Sequence, residues 1–290
     1  MPEPPRRPAV AGHFYPADGA ALTQAIEGSF LDARGPGQLP VRHRAAERRI
    51  RAVIAPHAGY QFSGPIAAHA YAAIAMERPP ATVLVLGTNH TGRGAPAALS
   101  ARDWVTPLGL IPADRELIEA LDRRPIRVDE RAHIGEHSIE VEVPFLQYVL
   151  PFPRFAALTI SMGPVDFLAE VAGVVRQAVQ ERDVLVVAST DFSHYIPAER
   201  ARTQDQKAID QILNRDPQGL YTTVIEQDIS MCGTAPTTVL LFATRDEPLD
   251  ARLLRWGHSG EVEPMRDVVG YASLLLTSEL ALPAVSPATG

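Results

Sequence analysis

A single cysteine, Cys232, stands among the 290 residues, so no intrachain disulfide can form and one thiol is left for another role, in keeping with a reducing compartment. No run of about 18 apolar residues occurs, and no apolar stretch follows the opening Met1-Pro2-Glu3-Pro4-Pro5-Arg6-Arg7-Pro8. Neither a membrane span nor a secretory signal is therefore expected, and the expected compartment is the cytoplasm. Positive charge is in deficit: 27 Lys and Arg against 34 Asp and Glu give −7, which argues against a general attraction to nucleic acid or acidic membranes. There is no internal repeat, and 20 glycines with 26 prolines are too few for a low-complexity chain. What is abundant is apolar sequence, 46% of the residues, which at this length can fill a sizeable core.

Three segments share one design, a short β-branched apolar run that ends in a turn carrying histidine. They are Ile50-Arg51-Ala52-Val53-Ile54-Ala55-Pro56-His57, Thr82-Val83-Leu84-Val85-Leu86-Gly87-Thr88-Asn89-His90, and Val184-Leu185-Val186-Val187-Ala188-Ser189 running on to Asp191 and His194. Continuous apolar runs suit strands buried on both faces. Helical patterns over 64–76, 114–122, 138–149 and 166–180 separate them, which predicts an α/β fold: a single domain with a mostly parallel central sheet and helices on both faces. Further helices are expected over 198–214 and 216–225 and from a Thr234 cap onward, with final strands over 251–258 and 268–276. The domain is expected to span 1–280, with a loose tail over 281–290. Residues 35–51, with Gly-Pro-Gly and then Arg42, Arg44, Arg48, Arg49 and Arg51, read as a solvated loop and strand lead-in.

Parallel sheets bind ligands beyond the carboxyl ends of their strands, where His57, His90 and His194 all fall. His57, His90 and Cys232 are the candidate metal ligands, since neutral imidazoles and a thiolate converging from separate elements suit a metal ion. The helix start after Cys232 is expected to favour its thiolate. Asp191 and His194, three residues apart at one strand end, are the candidate catalytic pair, the imidazole a base with one ring nitrogen fixed by Asp191 or by a backbone carbonyl. His133-Ile134-Gly135-Glu136-His137 matches the H-x-x-E-H pattern of inverted zinc metallopeptidases. Gly135 between the histidines and a helix start capped by Ser138 would leave His133 outside the helix, so the two rings would not share a face. His133, Glu136 and His137 are read instead as polar lining of a pocket.

Several motifs together resemble one family: Ala11-Gly12-His13-Phe14-Tyr15-Pro16, Pro56-His57-Ala58-Gly59-Tyr60, Leu86-Gly87-Thr88-Asn89-His90-Thr91, Thr106-Pro107-Leu108-Gly109, Glu136-His137-Ser138-Ile139-Glu140 running into Pro144-Phe145-Leu146, Ser189-Thr190-Asp191-Phe192-Ser193-His194-Tyr195 and Cys232-Gly233. In order from about residue 6 to 275, they are similar to the Memo family, called AmmeMemoRadiSam system protein B in bacteria and archaea. The resemblance implies a fold similar to class III extradiol dioxygenases, metal ligands at His57, His90 and Cys232, and a catalytic pair at Asp191 and His194. His13 stands where the first motif often has serine. A thiolate replaces the carboxylate of the dioxygenases, a softer donor that favours copper(I) or zinc relative to an all-N/O iron site. The expected function is a metal-dependent redox protein using iron or copper, with zinc as an alternative, acting on a small-molecule or peptide ligand. The family name also implies association with a radical SAM protein and an AMMECR-like protein. The competing reading is a non-catalytic module that captures a peptide or partner in the same pocket.

Overall fold

The computed structural model describes residues 4–279 apart from Arg44 and Phe152. The tail expected over 281–290 lies outside the described residues. In chain order the elements are α1 (Gly19–Leu31), β1 (Ile50–Ala55), α2 (Tyr60–Met76), β2 (Thr82–Thr88), β3 (Ala97–Ser100), β4 (Trp104–Thr106), β5 (Gly109–Ile111), α3 (Arg115–Leu121), β6 (Arg127–Val128), α4 (Val143–Val149), β7 (Phe155–Ile160), α5 (Val165–Val179), β8 (Val184–Ser189), β9 (His194–Pro197), α6 (Ala198–Leu213), α7 (Pro217–Glu226), α8 (Thr234–Thr244), β10 (Leu249–His258) and β11 (Asp267–Ser278).

The main sheet runs β10-β11-β1-β8-β2-β7-β3-β6, with β9 paired to β11. At its centre β1, β8, β2 and β7 are mutually parallel. β11 is antiparallel to β1, β10 and β9, and β3 to β7, so a parallel centre carries antiparallel flanks and the sheet is mixed. The period of two along each strand divides its side chains between two cores. Ala52 and Ile54 of β1, with Leu84 and Leu86 of β2, pack against α3, α5, α6, α7 and α8. Val53 and Ala55, with Val83 and Val85, pack against α1, α2 and α4. This double burial is why these strands read as unbroken apolar runs. Helix α5 shows the complementary pattern: Leu168, Val171, Ala172, Val175 and Val179 recur at helical spacing and form its buried stripe. Among the described residues, no helix is long and apolar enough to cross a membrane.

Three expectations are corrected. The arginine-rich stretch is only partly solvated. Arg48 is buried and paired with Asp183, which also holds Arg78 at 2.6 Å, while buried Arg51 pairs with Glu247 at 3.0 Å. The guanidinium of Arg42 lies over the Tyr148 ring. Their carboxylates come from distant parts of the chain, so local composition could not reveal the pairing. The helix expected from Ser138 starts at Val143 after a short 3-10 turn (Glu140–Glu142), and Ser138 Oγ donates to the Thr88 carbonyl at 2.8 Å instead of capping. Thr234 likewise opens α8 without capping it, since Gly233 is the N-cap and Thr234 Oγ1 donates to Met231 O.

Candidate metal centre

β8 lies between β1 and β2, so the carboxyl ends of these three neighbouring parallel strands open onto one crevice. His57 follows β1, His90 follows β2, and Ser189, Asp191 and His194 follow β8. Cys232 arrives from the other side, just before α8. Two glycines permit the approach. A Cβ on Gly233 would sit 2.2 Å from Thr190 Cβ, and one on Gly87 would sit 2.4 Å from Ile139 Cγ1, so the Cys232 segment packs on the β8 end and the 138–139 segment on β2. Gly233 N–H donates to Thr190 Oγ1, and Thr88 Oγ1 donates to the Cys232 carbonyl.

The ligand atoms of His57, His90 and Cys232 all lie within 4.8 Å of one another. His57 Nε2 and Cys232 Sγ are 3.3 Å apart, close to the edge of about 3.5 Å expected for a tetrahedron with bonds of about 2.0 and 2.3 Å. His57 is 1% exposed, and its Nδ1 faces Ser189 Oγ at 2.8 Å, which leaves Nε2 directed at the sulfur. Burial, then the neighbouring His137, His90 and His194, hold the His57 ring neutral. His90 gives its backbone N–H to Glu136 Oε2 at 2.6 Å and its Nδ1–H to Oε1 at 2.9 Å, so Nε2 is its available nitrogen. Two imidazoles, each with one nitrogen committed elsewhere, and a sulfur form a donor set that fits a soft or borderline cation.

The cysteine differs from expectation. Burial, and after it the charge of Asp191, push the Cys232 thiol well up, outweighing the Asp191 N–H that Sγ accepts at 3.2 Å. Proximity to the α8 terminus does not overcome desolvation, so a ligating cation would have to displace the thiol proton.

Glu136, expected as pocket lining, is a buried orienting group. Besides His90 it accepts the N–H groups of His137 and Ser138 at 2.8 and 2.9 Å. Burial alone would raise its pKa, but the His90 hydrogen bond, the electrostatic pull of His90 and His137 and the backbone N–H of Ser138 hold it at about 2. His90, Glu136 and His137 also come within ligating distance of one another, yet the His90 nitrogen facing Glu136 carries the proton it donates. That cluster therefore aims His90 at the first. His137 stacks on His90 with centroids 4.6 Å apart and meets His57 edge-on at 5.4 Å. Among the described residues its ring has no hydrogen bond, the nearest Glu136 oxygen being 3.7 Å away.

His133 is not brought to this cluster. It ends a 3-10 turn (Glu130–His133), its Nε2 meets the β3 carbonyl of Ala98 at 3.1 Å, and its ring lies edge-on to Trp104. Gly135, at φ +75°, turns the chain between it and His137, so the two histidines share no helix face. Arg6 anchors this loop, reaching the carbonyls of His133 and Glu136 and pairing with Glu140 at 2.7 Å. Glu140 also accepts Tyr15 O–H and the N–H groups of Ala9 and Val10.

Asp191 and His194 both border the site but do not bond to each other. Asp191 Oδ1 accepts the His57 backbone N–H at 2.8 Å, and burial raises its pKa to about 6 against the opposing pull of His194 and the backbone donors. The His194 ring is oriented by carbonyls: Nδ1 lies 2.7 Å from Phe192 O and 2.8 Å from Ser230 O, so it carries a proton, and among the described residues Nε2 has no hydrogen-bond partner. Asp205 fixes the turn by accepting Ser193 N–H. Next in chain, Tyr195 has φ +55° and is 77% exposed.

The sequence reading missed Ser189, Glu142, Arg6 and Glu140. The one available signal was the pair of acidic residues at 140 and 142 inside the otherwise apolar 139–146, since a carboxylate in a core-facing stretch needs a partner.

The chain resembles known proteins throughout. The Memo-like protein family model matches residues 6–275. A MEMO1 family protein of Methanothermobacter thermautotrophicus is 44% identical over 276 residues, covering 93% of this chain and 99% of its own. A MEMO1 family protein of Methanopyrus kandleri is 41% identical, over 93% and 98%. Among solved structures, an uncharacterized protein of Escherichia coli K12 superposes on 77% of this chain and 99% of its own with a TM-score of 0.50 and 16% identity, a likeness of fold alone. The extent of these matches, running through every residue of the crevice, shows that the chain belongs to the Memo family.

Proposed function

We propose that this Memo-family protein is a metal-dependent redox protein that holds iron or copper, with zinc as the alternative, on His57, His90 and Cys232. The observation that carries the reading is the convergence of three ligand atoms within 4.8 Å, two from the turns past the carboxyl ends of β1 and β2 on either side of β8 and the third from the segment just before α8. A bound iron or copper would supply electron-transfer chemistry and a Lewis-acidic position for a ligand. The chain's own residues do the rest. Glu136 and Ser189 orient the two imidazoles, and Asp191 holds the His57 backbone in place. His194, with Nδ1–H fixed by two carbonyls, offers Nε2 to accept a proton from a small-molecule or peptide ligand. His137, unbonded beside both candidate ligands, is a second group able to move a proton. By family association, a radical SAM protein and an AMMECR-like protein are the proposed protein partners, in the cytoplasm.

The test is the iron, copper and zinc content of protein purified without a histidine tag. About one equivalent of iron or copper per chain, lost in Cys232→Ser, is the expected result. Failure of the wild type to retain any of the three after reconstitution would overturn the proposal.

A second reading, a non-catalytic binding module, is favoured by a cavity of about 420 Å³ lined by Phe14, Tyr15, Tyr60, Gln61 and Arg34. It adjoins the cluster through Phe14, whose ring lies 4.8 Å from that of His137. Metal-dependent oxygen consumption separates the two, since a binding module has no turnover.

A further inference from the structure

Ser189 Oγ is surrounded by three polar atoms at hydrogen-bond distance: His57 Nδ1 at 2.8 Å, the Ser138 carbonyl at 2.7 Å and Glu142 Oε1 at 2.7 Å. A hydroxyl has one proton to give and two lone pairs to receive with. The Ser138 carbonyl can only accept, so it takes the Ser189 proton. Both other neighbours must then donate: the imidazole through Nδ1–H and the carboxyl through O–H. Glu142 Oε2 remains free to accept the Tyr71 O–H, as observed. An ionised Glu142 would claim the Ser189 proton for itself and leave Ser138 O pressed against an oxygen with no hydrogen between them.

We propose that Glu142 is a positioning residue held as a neutral carboxylic acid. Its proton, donated to Ser189, frees that hydroxyl to bind Ser138 and to receive His57 Nδ1–H, so His57 presents the Nε2 lone pair to the metal position. The second half of this statement rests on the metal-binding reading; the protonation of Glu142 does not.

The surroundings agree. Glu142 is 1% exposed, and among the described residues no cation pairs with it. The titratable groups around it are Tyr71 and Tyr60 from α2 and Asp191 beyond β8, none of which carries positive charge. Burial, opposed by the Tyr71 and Ser189 hydrogen bonds, raises its pKa to about 8. The bonds through Ser189 join the His57 side of the site to Ser138, whose N–H is held by Glu136 on the His90 side.

Glu142→Gln tests the assignment, because the amide keeps a donor for Ser189 and an acceptor for Tyr71 while removing the acid. In metal-free protein near neutral pH, the infrared difference between wild type and Glu142→Gln should contain a protonated carboxyl C=O band. Nitrogen NMR should show His57 as the Nδ1–H tautomer in both proteins, whereas Glu142→Ala should shift or broaden that signal. Only carboxylate bands in the difference spectrum, or a Gln variant that loses the tautomer as Ala does, would overturn the proposal. Both readouts are taken without metal. Absence of metal binding in every protein would sink the metal reading and leave these outcomes intact.

Discussion

Two buried glutamates on one stretch of chain meet opposite fates. Glu136 is held as an anion at about 2, and Glu142 is raised to about 8, although both are almost wholly inaccessible. Desolvation is the first influence on each and pushes both upward. The difference lies in the donors. Glu136 collects four N–H groups, one of them from the His90 ring, and each favours the charged form. Glu142 meets two hydroxyls, one of which is already committed to a carbonyl. Burial sets the penalty for charge, and the fixed donors, together with the titratable neighbours (His90 and His137 at Glu136, Asp191 at Glu142), decide whether the group carries it. In this site the charged carboxylate aims one imidazole and the neutral one supports the other.

The largest effect that would sharpen this contrast is on folding. Glu136→Ala leaves four buried or half-buried N–H groups without their acceptor, and at about 1–3 kcal/mol for each unmet buried donor the loss should be on the order of 4 kcal/mol or more by denaturant titration. A loss under about 1 kcal/mol would mean that the donors find other partners and that Glu136 is not the anchor described.

Metal affinity comes next. Glu136→Gln puts an NH2 group where His90 needs acceptors, so the dissociation constant for the reconstituted ion should rise about 10–100-fold, the range typical of lost orienting contacts. An unchanged constant by competition with a chelator would separate His90 orientation from Glu136.

The pH dependence of stability has opposite signs at the two sites. Between about 2 and the ordinary carboxyl value of 4.5, the unfolded chain binds the Glu136 proton and the native chain does not, so stability is lost as pH falls through that window. Between 4.5 and about 8 the native chain keeps the Glu142 proton that the unfolded chain has released, so this contribution weakens as pH rises. Each arm has a limiting slope of about 1.4 kcal/mol per pH unit. Glu142→Gln should flatten only the alkaline arm in denaturant titrations, and an unaltered slope there would remove the contrast.

The smallest expected change is in the metal content of His194→Ala. Its ring is held by the Phe192 and Ser230 carbonyls and is not among the three converging donors, so content should match the wild type while any turnover falls by about 10² to 10⁴. Loss of metal comparable to that of Cys232→Ser would make His194 a ligand instead of a base.

The strands that build the crevice were legible because burial on both faces demands unbroken apolar runs, and β1, β2 and β8 carry them. Histidines just past their ends could be placed in the crevice from chain order alone. Other parts were not legible. The flanking β3, β4, β5, β6 and β9 are two to four residues long, too short for a periodic signal. Arg48 and Arg51 looked solvated because their carboxylates, Asp183 and Glu247, lie far along the chain.

By itself, then, the sequence determined the α/β class, the crevice-facing histidines and the availability of one thiol, since hydrophobic periodicity and residue chemistry are local properties. Tertiary structure alone decided that carbonyls and not Asp191 orient His194, that the Cys232 proton is tightly held, that His133 is turned away, and that Glu136 is an anion while Glu142 is an acid. Charge state in a buried site depends on which donors the fold delivers within about 3 Å, and those donors come from other parts of the chain.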